Sequence, residues 1–323
     1  MNKQPHLQDI RSAHQRIRLY IHKTPVMTCT ALNRIIGAKL FFKCENFQKT
    51  GAFKFRGACN AIFSLSGQEA SRGVVTHSSG NHAGALALAA RKRGIGARIV
   101  MPSNASAVKI AAVKSYGGII TFCEPTLTSR EDAAEQIIKE TGALLIHPSN
   151  DYRIITGQAT VALELMEEIE NLDFLLAPVG GGGLLSGTAI AAKALNPKIK
   201  VIGCEPKNAD DAYRSIKAGR IIPSENPNTI ADGLRTSLGD KTFPIIRDLV
   251  DEILLATEEE IITAMRYIFE RMKIVVEPSA AVPLAVLLSN QMNAADKNVG
   301  IIISGGNVDL SKFFGEMLKE NKS

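Results

Sequence analysis

The sequence predicts an α/β fold of parallel sheets covered by helices. Short apolar runs alternate with helix-length segments along the whole chain, and three of those runs end in glycine-bearing turns. The first element is a helix, because Leu7, Ile10, Ala13, Ile17 and Ile21 recur at helical spacing. Strands are expected at 39–44, 73–78, 98–101, 119–123, 144–147, 174–179, 200–204, 252–256 and 299–304. Helices are expected at 82–93 and 107–116, where Gly94 and Gly117 are natural stops. Thr257 and Glu260 form a capping box for a helix running to about Met272.

At 323 residues with 45% hydrophobic content, the chain is long enough for one large or two moderate domains with a real core. The formal charge is +6, but basic and acidic residues are interspersed, with no Lys/Arg tract and no stripe of aromatics among them. Nucleic acid is therefore not an expected partner. The five cysteines are odd in number and widely spaced, which supports neither a disulfide framework nor a zinc knuckle. No apolar stretch approaches the roughly 20 residues of a membrane span, and Met1 to His14 lacks the apolar run of a secretory signal. No membrane association and a cytoplasmic location are expected.

Ligands of open α/β sheets sit beyond the carboxyl ends of strands, so the residues after each expected strand carry the functional signal. The strand at 174–179 runs into Gly180, Gly181, Gly182 and Gly183 and then a helix that begins at Leu184. Unobstructed amides and the positive end of a helix suit an anion, and a phosphate cradle is the favoured reading. A tight turn would explain one or two glycines rather than four. A dinucleotide fold and an NAD(P)-dependent oxidoreductase form a second alternative, with Glu205 as the ribose-binding acid. Against it, the third glycine of the fingerprint falls on Ser186 or Leu185, and the turns at Ser79–His82 and Ser304–Asn307 stay unexplained.

The segment Gly51-Ala52-Phe53-Lys54-Phe55-Arg56-Gly57 sets a lysine between two aromatics and two glycines. A lysine is ordinarily a solvated cation. Beside a phosphate cradle it gains another reading, since a partly desolvated amine has a lowered pKa and can attack a carbonyl. A neighbouring phenylalanine could pack on a flat ring.

With these residues in view, the chain resembles the fold-type II pyridoxal-phosphate enzymes, within them the serine racemase and serine/threonine dehydratase group. Five segments carry the resemblance, in order along nearly the whole chain: Gly51–Gly57, Ser78–His82, Gly180–Leu184, Glu205–Asp211 and Ser304–Asn307. It implies two α/β domains with pyridoxal 5'-phosphate in the cleft between them. The small domain would be residues 72–148, inserted in a large domain of residues 1–71 and 149–323. Lys54 would carry the cofactor as a Schiff base, Asn81 would bind its 3′-oxygen, and Gly180 to Gly183 with Leu184 its phosphate. Phe53 and Gly233 would lie near opposite faces of the ring and Ser304 at its nitrogen. A hydroxyl there holds no proton on the ring nitrogen, which weakens the electron sink and favours elimination or prompt reprotonation over transamination.

The implied activity is interconversion of L- and D-serine with accompanying dehydration to pyruvate and ammonia. The alternative within the group is a threonine or 3-hydroxyaspartate dehydratase, and outside it a non-catalytic ligand sensor. Ser79 is the informative residue, because a serine there serves the second face of the α-carbon in racemases of the group. A helix-capping or carboxylate-binding role is its alternative. Ser78, Ser79, Asn81 and His82 would form the substrate loop, and Arg130 would approach the substrate carboxylate. Glu205, the Ala209 carbonyl and Asp211 would hold a divalent cation, Mg²⁺ or Ca²⁺. ATP binding between the subunits of a homodimer would involve Lys49, Thr50, Tyr116, Lys273 and Asn307. Cys29 and Gly84 replace polar residues usual there, which weighs against nucleotide activation, and Ser149 replaces an asparagine near the cofactor.

Overall fold

A computed structural model describes residues 3–78, 80–105 and 107–309. Ten strands run in chain order: β1 (Val26–Met27), β2 (Lys39–Cys44), β3 (Val74–His77), β4 (Ala97–Pro102), β5 (Ile119–Cys123), β6 (Leu144–Leu145), β7 (Phe174–Pro178), β8 (Lys200–Pro206), β9 (Glu252–Ala256) and β10 (Asn298–Ile303). They form a six-stranded sheet of order β1-β2-β10-β7-β8-β9 and a four-stranded sheet of order β5-β4-β3-β6. Every pairing is parallel except β1 with β2. The expected strands are present, with ends shifted by a residue or two; β6 is shorter than expected, and β1 was not expected. Its two residues are too few to show a period.

The larger sheet is buried on both faces, as continuous apolar runs in parallel strands require. Neighbouring residues sort to opposite sides. Leu176, Ile202 and Ile301 pack beneath the helices Glu258–Tyr267 and Pro278–Leu288. Leu175, Val201 and Ile302 pack against the helices Tyr152–Glu168 and Gly183–Leu195. The smaller sheet has Val74, Ile99 and Met101 on one face with the helix Asn81–Arg93, and Val75 and Val100 on the other with the helix Leu127–Thr141. All four of its strands lie between residues 72 and 148. The helix Lys54–Phe63, earlier in sequence, also buries Phe55, Ala58, Cys59 and Ile62 in the core of the smaller sheet.

Local signals act where the sequence put them. The first helix is Leu7–Ile17, with Ile10, Ala13 and Ile17 inward. Gly94 ends the helix Asn81–Arg93 in the left-handed conformation, with φ +75°. The Thr257 hydroxyl accepts from the Glu260 amide while the Glu260 carboxylate accepts from the Thr257 amide, at 3.3 and 2.8 Å. That helix widens into a π turn over Ile268–Met272 and stops at Lys273.

A buried charge network ties the helix Lys54–Phe63 to the larger sheet. The Arg56 guanidinium donates to both Glu45 and Glu164, with contacts of 2.7–2.8 Å. Lys43, on β2, donates to Glu164 at 2.8 Å and to the Thr24 carbonyl at 2.7 Å. Arg56, Lys43 and Glu45 have no exposed surface. Burial alone would discharge such groups. Here Glu45 and Glu164 outweigh it and hold the guanidinium charged, while Arg56 and Lys43 keep the Glu164 carboxyl below its usual range. Two cations face two anions, so the cost of removing one partner is large, about 3–5 kcal/mol.

Candidate active site

The lysine segment is stitched to the end of β10. Ala52 forms an isolated bridge with Gly305, and the Phe53 amide donates to the Ser304 carbonyl at 3.0 Å. Lys54 therefore begins its helix at the carboxyl edge of the larger sheet. Its Nζ donates to the Pro148 carbonyl at 2.7 Å and stands 5.3 Å from the centre of the Phe53 ring. Burial pulls its pKa down to about 8, with Glu277 acting in the opposite direction. A substantial neutral fraction near physiological pH is what a nucleophilic lysine needs.

The glycine turn lies on the other side of the same dipeptide. Ser149 follows Pro148, and a Cβ on Gly181 would come within 2.4 Å of its Oγ. A Cβ on Gly180 would stand 2.8 Å from the Leu234 backbone. Gly182, with φ +79°, caps the helix Gly183–Leu195, and Ser186 is the first residue whose amide reaches back to a helical carbonyl, that of Gly182. The amides of Gly182 to Leu185 are thus the helix-start donors that have no intrahelical partner. Gly233, next to Leu234, donates its amide to Ser279 Oγ at 3.1 Å.

Asn81 faces a residue the sequence reading missed. Its amide donates to both oxygens of Glu277, at 2.9 and 3.0 Å. Glu277 is 4% exposed, caps the helix Pro278–Leu288, and has its pKa pushed up to about 7 by burial, against the pull of Asn81. The only signal for it was the Glu-Pro pair at a helix start. Asn307 Nδ2 donates to Asn81 Oδ1 at 2.9 Å and to the Thr50 carbonyl at 2.7 Å. Four of the five segments, those carrying Lys54, Asn81, the glycine turn and Ser304, are thus joined by one chain of contacts. Ser304 is buried, at 2% exposure.

Around them, Ser78 Oγ accepts from the Gly80 amide at 3.3 Å. His82 is buried, with Nε2 3.3 Å from the Ile146 carbonyl, and burial holds it well below the usual histidine range. Ser79 lies outside the described residues. Arg130 folds back on its own helix, its Nε donating to the Thr126 carbonyl at 3.2 Å.

The acidic turn is a separate place. The fully buried Glu205 accepts from the amides of Ala212 and Tyr213, both at 2.9 Å, at the start of the helix Asp211–Ala218. Asp211 is also fully buried, with the Ser224 side chain and the Arg214 charge partly offsetting its desolvation. Burial pushes Glu205 up to about 9 and Asp211 up to about 6. The Arg214 guanidinium, which donates to Asp210 at 2.7 Å, acts electrostatically on both carboxyls. Two buried carboxyls are the donor set a hard divalent ion takes.

Of the nucleotide residues, Lys49 donates to the Tyr20 carbonyl at 2.5 Å, and Thr50 adopts φ +62° beneath Asn307. The Tyr116 ring lies 3.3 Å from where a Cβ on Gly84 would stand. Lys273 adopts φ +60° after the π turn.

The pyridoxal-phosphate dependent enzyme family matches residues 17–305. The chain belongs to that family. A serine racemase of Arabidopsis thaliana is 54% identical over 310 residues, 94% of this chain and 94% of the relative. A beta-hydroxyaspartate dehydratase of Paracoccus denitrificans is 50% identical over 308 residues, 95% of this chain and 98% of the relative. Among solved structures, maize serine racemase superposes with a TM-score of 0.96 at 50% identity, covering 99% of both chains. Family membership decides against the dinucleotide reading of the glycine turn. The residues present fit the family's cofactor: a buried amine with a lowered pKa and a turn of helix-start amides flank Pro148 and Ser149. No described helix is long and apolar enough to cross a membrane.

Proposed function

We propose that this chain interconverts L- and D-serine and also dehydrates serine to pyruvate and ammonia. The observation that carries the reading is the Lys54 amine at 2.7 Å from the Pro148 carbonyl, one residue from the serine that packs on the glycine turn. The likeness to serine racemases along nearly the full chain supports it. Pyridoxal phosphate, when bound, supplies the electron sink that makes the substrate α-proton acidic. Amides of Gly180 to Gly183 and Leu184 would hold its phosphate, Asn81 would bind its 3′-oxygen and Ser304 its ring nitrogen, with Phe53 and Gly233 lining the place of the ring.

Lys54 takes or returns the α-proton on one face, and Ser79 does so on the other. Ser78, Asn81 and His82 orient the substrate, and Arg130 meets its carboxylate when the segment 72–148 closes on the rest and shuts out water. The protein acts as a cytoplasmic homodimer. ATP, as an activator between the subunits, would take Lys49, Thr50, Tyr116, Lys273 and Asn307, where Gly84 offers it no side chain. Purified enzyme given serine, threonine and 3-hydroxyaspartate in turn, with keto acid and product chirality read together, tests the assignment. D-serine formed from L-serine supports it. Keto acid from 3-hydroxyaspartate without inversion of serine would favour the dehydratase reading, which the Paracoccus denitrificans relative supports.

We further propose that Glu205, the Ala209 carbonyl and Asp211 hold Mg²⁺ or Ca²⁺, with water completing the shell. An ion that binds only the folded state stabilises it by mass action, about 2.7 kcal/mol at a hundredfold excess over Kd. Thermal melts should rise by several degrees with the ion and fall back with chelator. The double variant Glu205→Ala, Asp211→Ala should lose this response; a response that survives it places the ion elsewhere.

A further inference from the structure

The histidine two residues past β6 does something the proposed chemistry leaves unexplained. His147 Nδ1 accepts from two backbone amides, Ser149 at 3.2 Å and Asn150 at 2.8 Å. One ring nitrogen therefore closes the turn Pro148–Asn150. The carbonyl of that turn holds Lys54 Nζ at 2.7 Å, and its serine packs on Gly181. Asn150 ties the far end down, its Oδ1 accepting from the Lys241 amide at 2.9 Å. The ring itself is wedged edge-on against His77, with centroids 5.7 Å apart and planes at 81°.

Two accepted amides demand an unprotonated Nδ1, so the ring must be neutral with its proton on Nε2. The surroundings enforce this. Burial, then the charges of His77 and Lys54, bring the His147 pKa down to about 4, with Asp151 opposing and Lys241 adding to the fall. A third histidine of the cluster, His82, is held well below the usual histidine range by burial, and its Nδ1 is buried without a partner among the described residues.

The geometry points to His147 as a positioning residue for the cofactor lysine: its neutral Nδ1 fixes the turn whose carbonyl aims the Lys54 amine and whose serine backs the glycine turn. Loss of the acceptor frees the amides of Ser149 and Asn150 and lets the Pro148 carbonyl swing away. Water then reaches the amine, and its pKa climbs back toward the ordinary lysine range. His147 transfers no proton in this role, and the groups facing it (His77, His82, Lys54, Asp151 and Lys241) set its charge rather than share its work.

The inference rests on Lys54 being the cofactor lysine, so its test reads the lysine and the imidazole directly. The full-length chain is compared as wild type, as His147→Asn, whose amide oxygen can accept in place of Nδ1, and as His147→Leu, which cannot accept. With the cofactor removed, competitive acylation across pH gives the titration midpoint of Lys54 by peptide mass spectrometry. Cofactor release from the loaded proteins is timed separately, with circular dichroism as the check on fold. Wild type and His147→Asn should titrate near pH 8. For His147→Leu the midpoint should rise by about one unit toward the free-lysine value, with cofactor released at least about tenfold faster, a loss of positioning worth about 1.4 kcal/mol.

A folded His147→Leu with a wild-type midpoint would overturn the proposal, as would a His147→Asn shifted as far as His147→Leu. Should His147→Leu not fold, nitrogen NMR of the wild-type ring decides. An unprotonated, hydrogen-bonded Nδ1 supports the role, and a proton on Nδ1 excludes it. Each of these readings holds whether or not Lys54 proves essential for turnover.

Discussion

Lys54→Ala is expected to abolish turnover of every amino acid the enzyme accepts, by at least about 10⁴-fold, because in the proposed mechanism one side chain both anchors the cofactor and moves the α-proton. Burial lowers the pKa of its amine to about 8, and the amine donates to the Pro148 carbonyl beside the glycine turn. Borohydride treatment of the wild type should fix cofactor to the peptide containing residue 54, and the variant should take up none covalently. Cofactor fixed with equal yield in the variant would move the anchoring role to another lysine. The variant should still fold, since the charge network that holds this helix starts at Arg56 and does not use the Lys54 amine.

Ser79→Ala should separate two reactions that share every other group. Inversion needs a proton exchanged on the face opposite Lys54, whereas elimination from L-serine needs only proton abstraction on the lysine side. A serine hydroxyl is a poor base in water, so the site has to assist it, and removing a positioned acid or base costs on the order of 10²–10⁴-fold. The expected outcome is loss of L-to-D conversion and of elimination from D-serine, with much of the elimination from L-serine kept. A variant that racemises at the wild-type rate would dismiss the two-base scheme. Equal loss of both reactions would assign Ser79 to helix capping or substrate binding instead. Ser79 itself is outside the described residues, so this expectation rests on its neighbours, Ser78 before it and the helix that Asn81 begins after it.

The sequence disclosed the framework because buried parallel strands are written as apolar runs. β7 and β10 lie within a residue of the runs at 174–179 and 299–304. β1 was hidden because two residues have no periodicity. Within the candidate site, the residues singled out in the sequence lie in or near glycine-marked segments: Lys54 between Gly51 and Gly57, Asn81 after Gly80, Gly180 to Gly183, and Ser304 before Gly305. Ser149 was noticed as a departure from the family, and the structure shows it against Gly181. Glu277 and His147 were not noticed. Glu277 meets Asn81 across 196 residues of sequence, and nothing local marks a buried acid paired at that range. His147 acts through backbone amides two and three residues away, in a hydrogen-bonding pattern that a lone histidine does not announce.

The helix Lys54–Phe63 belongs to two bodies at once. Its apolar side lies in the core of the four-stranded sheet, while Arg56 is bound by buried carboxylates to β2's neighbourhood and to the helix Tyr152–Glu168. A rigid element fastened on both sides couples the two sheets: the four-stranded sheet cannot move against the six-stranded one without straining the buried pairs of Arg56 with Glu45 and Glu164 or the packing of Phe55, Ala58 and Ile62.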